Sequence, residues 1–139
     1  MKRLIISFFL IIMGANIAYS QNDADLFYAR DQVNAMCPKI IDEATILKNV
    51  TFGGTGSVFM YNYIVDESKL KMSAIKNVLS VMAERIKANH ETPVSYEFIQ
   101  ACIKTNVVIM HQYVGNQSNE ACWITYYPKN KRITIMMEN

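Results

Sequence analysis

Two histidines and three cysteines are the chain's whole supply of the residue types that usually serve as base, nucleophile and soft metal ligand: His90, His111, Cys37, Cys102 and Cys122. Nucleophilic catalysis would set Cys102 or Cys122 beside His111, with a third group orienting the imidazole. That pairing defines the enzymatic alternative, a small Cys/His-dependent hydrolase. The spacing argues against it. His111 lies in the apolar run Val107–Val114, where it groups with Ile109 and Tyr113 as a core residue, and His90 lies near a helix end among polar neighbours. No Cys-x-x-Cys or Cys/His zinc spacing occurs, and two isolated histidines without a carboxylate at ligand spacing build no metal site. The adjacent acids Asp42-Glu43 and Asp66-Glu67 sit at element ends and read as turns or helix starts, not as a glycosidase pair. Gly53-Gly-Thr-Gly56 lacks the Lys-Ser/Thr ending of a phosphate loop and joins two strands, so it reads as a hairpin turn. No catalytic residue, cofactor or metal is expected.

Charge narrows the partners. The chain has 139 residues, and Lys2 and Arg3 account for the excess of 14 cations over 12 acids. A body with no net charge, whose one basic cluster is Lys129-Asn-Lys131-Arg132, is no nucleic-acid binder. Lys2-Arg3 opens a different feature. The apolar run Leu4–Met13 follows it, too short to span a bilayer, and then Ala18 and Ser20 stand at the −3 and −1 positions before Gln21. These are the three parts of a secretory signal peptide. Cleavage after Ser20 is expected, leaving residues 21–139 as one exported domain, periplasmic or extracellular, with no stable membrane span.

The mature part divides by its periodicity. Leu26, Ala29, Val33 and Met36 fit a helix over residues 22–36, and Pro38 follows its end. Residues 45–52 and 57–65 alternate as strands about the Gly53–Gly56 turn and predict a hairpin. Met72, Ile75, Val78, Leu79, Met82 and Ile86 mark one face of a helix over 67–89. Pro93 breaks it, and Tyr96, Ile99, Cys102 and Ile103 restart the pattern. Residues 107–114, 122–127 and 132–137 predict three further strands. The order α-β-β-α-α-β-β-β implies an α+β fold, an antiparallel sheet of four to five strands covered on one face by helices. In the strand 57–65, Phe59, Tyr61, Tyr63 and Val65 share one face and Val58, Met60, Asn62 and Ile64 the other, which marks a central strand. Asp42 and Thr45 can bond exposed backbone N–H groups between two elements.

Cys37-Pro38-Lys-Ile-Ile-Asp42-Glu-Ala-Thr45-Ile-Leu47, followed by Tyr61-Asn62-Tyr63, resembles a family of small exported bacterial proteins of unknown function. Their signature reads Cys-Pro-x-x-x-Asp-x-x-Thr-x-Leu, then Tyr-x-Tyr, then a helix and a strand pair with a second aromatic repeat. The resemblance covers residues 30–128. It departs at His111-Gln112-Tyr113, where Tyr-x-Tyr is expected, and at loop 115–119, which lacks the family's Asp-x-x-Gly turn. It implies an α+β envelope or secreted domain and no reaction.

An exported chain can keep disulfides, and an odd count of three cysteines permits one bridge at most within a chain. A hairpin turning near Gln117 sets Cys122 opposite about Gln112 and leaves Cys102 roughly 15 Å or more along the sheet. Cys37, at the end of the first helix, meets Cys102 if the two helices lie side by side, so the expected bridge is Cys37–Cys102, with Cys37–Cys122 or no bridge as the alternatives. Tyr61, Tyr63, Tyr113 and Trp123 form a candidate contact surface, although the Tyr61/Tyr63 pair suits core packing better. The functional expectation is a non-enzymatic exported domain that binds an unidentified protein or envelope component through its sheet or a free strand edge. An immunity or inhibitor protein is the rival of the same fold.

Overall fold

Alternation is strongest in strand β3 (Val58–Val65), where every second side chain from Phe59 to Val65 is buried and those between are half-buried. Such a strand has partners on both sides, and in the computed structural model, which describes residues 23–52 and 58–138, it is third in a six-stranded sheet. The sheet runs in chain order: β1 (Lys39–Asp42), β2 (Thr45–Thr51), β3, β4 (Val108–Gly115), β5 (Ala121–Tyr127) and β6 (Arg132–Met137). Four described α-helices accompany it: α1 (Asp23–Asn34), α2 (Met72–Asn77), α3 (Leu79–His90) and α4 (Tyr96–Thr105). The α+β class and the β2–β3 hairpin pairing stand as expected.

Two expectations about the sheet need correction. It has six strands, because Lys39–Asp42 pairs with β2 as a short edge strand. It is also mixed: β3 and β4 run parallel in unbroken register from Val58↔Val108 to Val65↔Gly115, while every other pair is antiparallel. The cause is the connection. The chain between β3 and β4 carries α2, α3 and α4, a crossover long enough to return to the end where β3 began. The expected single helix over 67–89 is two, broken at Val78 (φ −110°, ψ 12°), which is 39% exposed and so leaves the apolar face assigned to it.

The helices pack on one face. α1 lies against α4 and β2, and α3 against β5 and β6. The end of α1 is tied to β2 by a reciprocal pair: Asn34 Nδ2 donates to the Val50 carbonyl (2.9 Å) and Asn34 Oδ1 accepts from the Val50 N–H (2.7 Å). Asn106 ends α4 in the left-handed region (φ 61°), which asparagine tolerates, and Val107 N–H then bonds the Cys102 carbonyl. Asp42 Oδ1 accepts the Ala44 N–H in the β1–β2 turn, as its position between elements predicts. The Glu67 carboxylate does similar work in the β4–β5 loop, accepting from Gln117 N–H (2.6 Å), Ser118 N–H (2.7 Å) and Ser118 Oγ (2.7 Å). Those bonds hold its carboxyl below the usual range. The expected signal peptide of residues 1–20 and the expected Gly53–Gly56 turn lie outside the described residues.

Candidate functional site

The parallel β3–β4 register brings two tripeptides side by side. Tyr61-Asn62-Tyr63 faces His111-Gln112-Tyr113 residue for residue, and alternation sends the first and third of each to the helix side and the middle one to the open side. The six residues therefore divide, four to the helix side and two to the open side.

On the helix side the rings stack. Tyr61 lies on His111 (centroids 4.7 Å apart, 8° between planes), and Tyr63 lies on Tyr113 (4.5 Å, 7°). The last residue of α3, His90, reaches the same layer and stacks on Tyr126 (5.2 Å). His90 Nε2 is 3.2 Å from His111 Nε2, and His111 Nδ1 is 3.0 Å from the Tyr63 hydroxyl. These contacts are compatible in two ways. Either the Tyr63 hydroxyl donates inward and His111 donates to His90, or His90 donates to His111 and His111 donates to Tyr63. Both schemes use neutral imidazoles, and burial enforces neutrality: His90 is pushed down to about 3, and His111 falls well below its usual value through burial and the neighbouring His90. Next to His90 in the chain, Glu91 leads outward, accepting from the Tyr126 hydroxyl (3.0 Å) and pairing with Lys87.

The thiols are distributed around this layer and held protonated. Burial raises Cys37 and Cys102, and pushes Cys122 up to about 11 despite the opposing Lys76 charge. A thiol of that kind is a small hydrophobe at neutral pH and a poor nucleophile. All three cysteines are free, so the expected Cys37–Cys102 bridge is absent. The two helices do lie together, but the Cys37 thiol is turned back along α1, bonding the Val33 carbonyl at 3.3 Å.

On the open side the middle residues form a row of neutral polar groups across four strands. Trp123 Nε1 donates to Gln112 Oε1 (2.8 Å), Gln112 Nε2 to Asn62 Oδ1 (3.1 Å), and Asn62 Nδ2 to Asn49 Oδ1 (2.8 Å). Beside it the registers align an apolar row: Ile40, Ile46, Ile64, Val114 and Ala121, from β1 to β5. Ile40 is 74% exposed, and Ile46, Ile64 and Val114 are exposed or half-buried.

The candidate contact residues thus part company. Trp123 lies half-buried on the open face, whereas Tyr61, Tyr63 and Tyr113 are buried in the ring layer and present no surface. The histidine pair escaped sequence reasoning. Its signal was there, because His90 continues the Leu79, Met82, Ile86 stripe by one more step of four. No group of three or more potential metal ligands occurs among the described residues.

No protein-family model matches the chain, and no curated protein sequence does. The fold resembles a Pseudomonas aeruginosa protein whose crystal structure is described as that of a "putative secreted protein". The TM-score is 0.62 at 9% sequence identity, over 77% of this chain and 89% of that one. At that identity the likeness is one of fold.

Proposed function

We propose that the chain is an exported domain that acts by binding, offering the open face of its sheet to a protein or other component of the bacterial envelope. Export is supported by the leader pattern of residues 1–20, and the description of the similarly folded P. aeruginosa protein agrees with it. The Cys-Pro and Tyr-x-Tyr resemblance adds the same envelope setting. Among the described residues no helix is long and apolar enough to cross a membrane.

The observation that carries binding is the pair of rows on the open face. An apolar row lies beside amides that already hold one another, so a partner meets ordered groups and less side-chain entropy is lost on association. A Cys/His-dependent reaction fits less well, because burial raises all three thiols and so holds them protonated at neutral pH.

The test compares the protein with Ile46→Lys, which places a charge in the apolar row at a 38% exposed position. Both are crosslinked in envelope extracts. A component captured by the parent and lost by the variant, with unchanged melting temperature, supports the reading. Capture of nothing specific, or equal capture by both, refutes it.

A further inference from the structure

We infer that the protein self-associates through the free edge of β6, pairing antiparallel with β6 of a second copy. This inference stands apart from the proposed role of the open face.

Among the described residues β6 is last in the sheet and has β5 on one side only. Just past the strand, the Glu138 N–H donates to the Ala121 carbonyl at 3.1 Å. Backbone groups alternate along a strand, so Arg132, Thr134 and Met136 also turn theirs to β5, and Ile133, Ile135 and Met137 turn theirs to the free edge. Such an edge is a template for another strand unless something blunts it. Nothing within Ile133–Met137 does. The run contains no lysine, proline or glycine, its register with β5 is unbroken, and Ile135, Met136 and Met137 are 39%, 57% and 51% exposed. The opposite edge shows the contrast. β1 has four residues, starts on Lys39, ends on Asp42, and its register with β2 shifts between Ile40 and Asp42.

Charge then selects the occupant and the direction. Arg132 opens β6 with its guanidinium over the Tyr127 ring (4.3 Å), and Glu138 follows its end with Oε1 accepting the Ala121 N–H (2.9 Å); only uncharged residues lie between, and both side chains keep their charge for a partner. A second copy running antiparallel about Ile135 places each Arg132 opposite the other copy's Glu138, Ile133 opposite Met137, and Ile135 opposite itself. A parallel copy would set like charge on like. The antiparallel arrangement is isologous and closes as a two-fold dimer. Its three outward residues per strand exchange about six backbone hydrogen bonds, and the two sheets become one.

Sedimentation equilibrium on the protein purified after expression of the full chain, with reductant present, tests this. A concentration-dependent dimer is expected. Ile135→Pro removes an outward N–H while leaving the β5 side bonded, and should yield monomer with little change in melting temperature. Arg132→Glu sets two acids opposite each other twice per dimer and should weaken Kd on the order of tenfold. Adding Glu138→Lys should restore it, and that rescue decides the matter even if Ile135→Pro fails to fold. A monomeric parent, a dimer that needs oxidised thiols, a dimer indifferent to Ile135→Pro, or an Arg132→Glu defect without rescue overturns the inference.

Discussion

Acid should unfold this protein through His90 and His111. Unfolded, each imidazole takes up a proton near pH 6.5; folded, His90 holds out to about 3, and His111 also lies well below its usual value. Below about pH 6.5 the unfolded chain therefore binds more protons, and stability falls as pH falls. At about pH 5 the unfolded histidine lies some 1.5 units past its midpoint, which is about 2 kcal/mol for each ring that stays neutral in the fold, and about 4 kcal/mol for the pair. Against a typical total of roughly 5–15 kcal/mol, that brings the domain near its limit.

Other groups move less in this window, or the opposite way. Burial raises the carboxyls of Asp25 and Asp42, so each costs stability when charged, and acid relieves that cost. Asp66 and Glu67 are lowered by hydrogen bonds, first from Ser68 and Ser118 respectively, and their contribution is lost only below their ordinary values, beneath the histidine window. Urea unfolding at about pH 7 and pH 5 reads the difference. With a slope of about 1.5 kcal/mol per molar, the midpoint should drop by about 2–3 M. His90→Gln and His111→Gln share every carboxylate with the parent, and each should remove about half of the pH dependence whatever it costs at neutral pH. A parent midpoint that barely moves, or variants that keep the full dependence, would falsify the reasoning.

Three further outcomes follow from the packing. Gly115→Ala sets a methyl against the end of the flexible Glu67 side chain, so the carboxyl must move off the Gln117 and Ser118 N–H groups; it should cost about 1 kcal/mol in thermal or urea unfolding, with much less lost in a Glu67→Ala background, where the obstacle is gone. Asn34→Ala strips both backbone partners from Val50 and should cost about 1–3 kcal/mol; a loss well under 1 kcal/mol would mean water replaces both bonds. Thiol labelling of the reduced, folded protein should modify the half-buried Cys37 first and reach Cys102 and Cys122 only in denaturant, and early labelling of Cys102 would contradict its burial.

How legible each feature was depended on whether local sequence decides it. β6 matches its expected bounds, Arg132–Met137, because period-two alternation is a property of the strand itself. The central place of β3 was legible for the same reason: apolar residues on both faces need neighbours on both sides. The parallel join of β3 to β4 was not, because direction is set by where three helices return the chain, and no residue in either strand records it. β1 was missed because four residues, half of them exposed, have no pattern of their own and owe their conformation to β2. His90 does lie at a helix end, as its position predicts, but its burial follows from its place on the α3 stripe and not from its polar neighbours.

His111-Gln112-Tyr113 shows how alternation divides one tripeptide between two roles. Read along the chain, it is an imperfect repeat of Tyr61-Asn62-Tyr63. Placed beside that tripeptide in parallel register, its one changed ring is what reaches both the Tyr63 hydroxyl and His90. Because side chains alternate, the two ends of the tripeptide serve the core while its middle serves the open face. The two roles should therefore separate by position. Gln112→Leu removes the acceptor of Trp123 Nε1 and the link to Asn62 on the open face, and should leave the acid sensitivity of the histidine pair intact. His111→Gln should abolish its half of that sensitivity and leave Gln112 bonded to Asn62. If Gln112→Leu changed the pH dependence as much as His111→Gln did, the two faces would be coupled through the backbone, and neither could be assigned a function of its own.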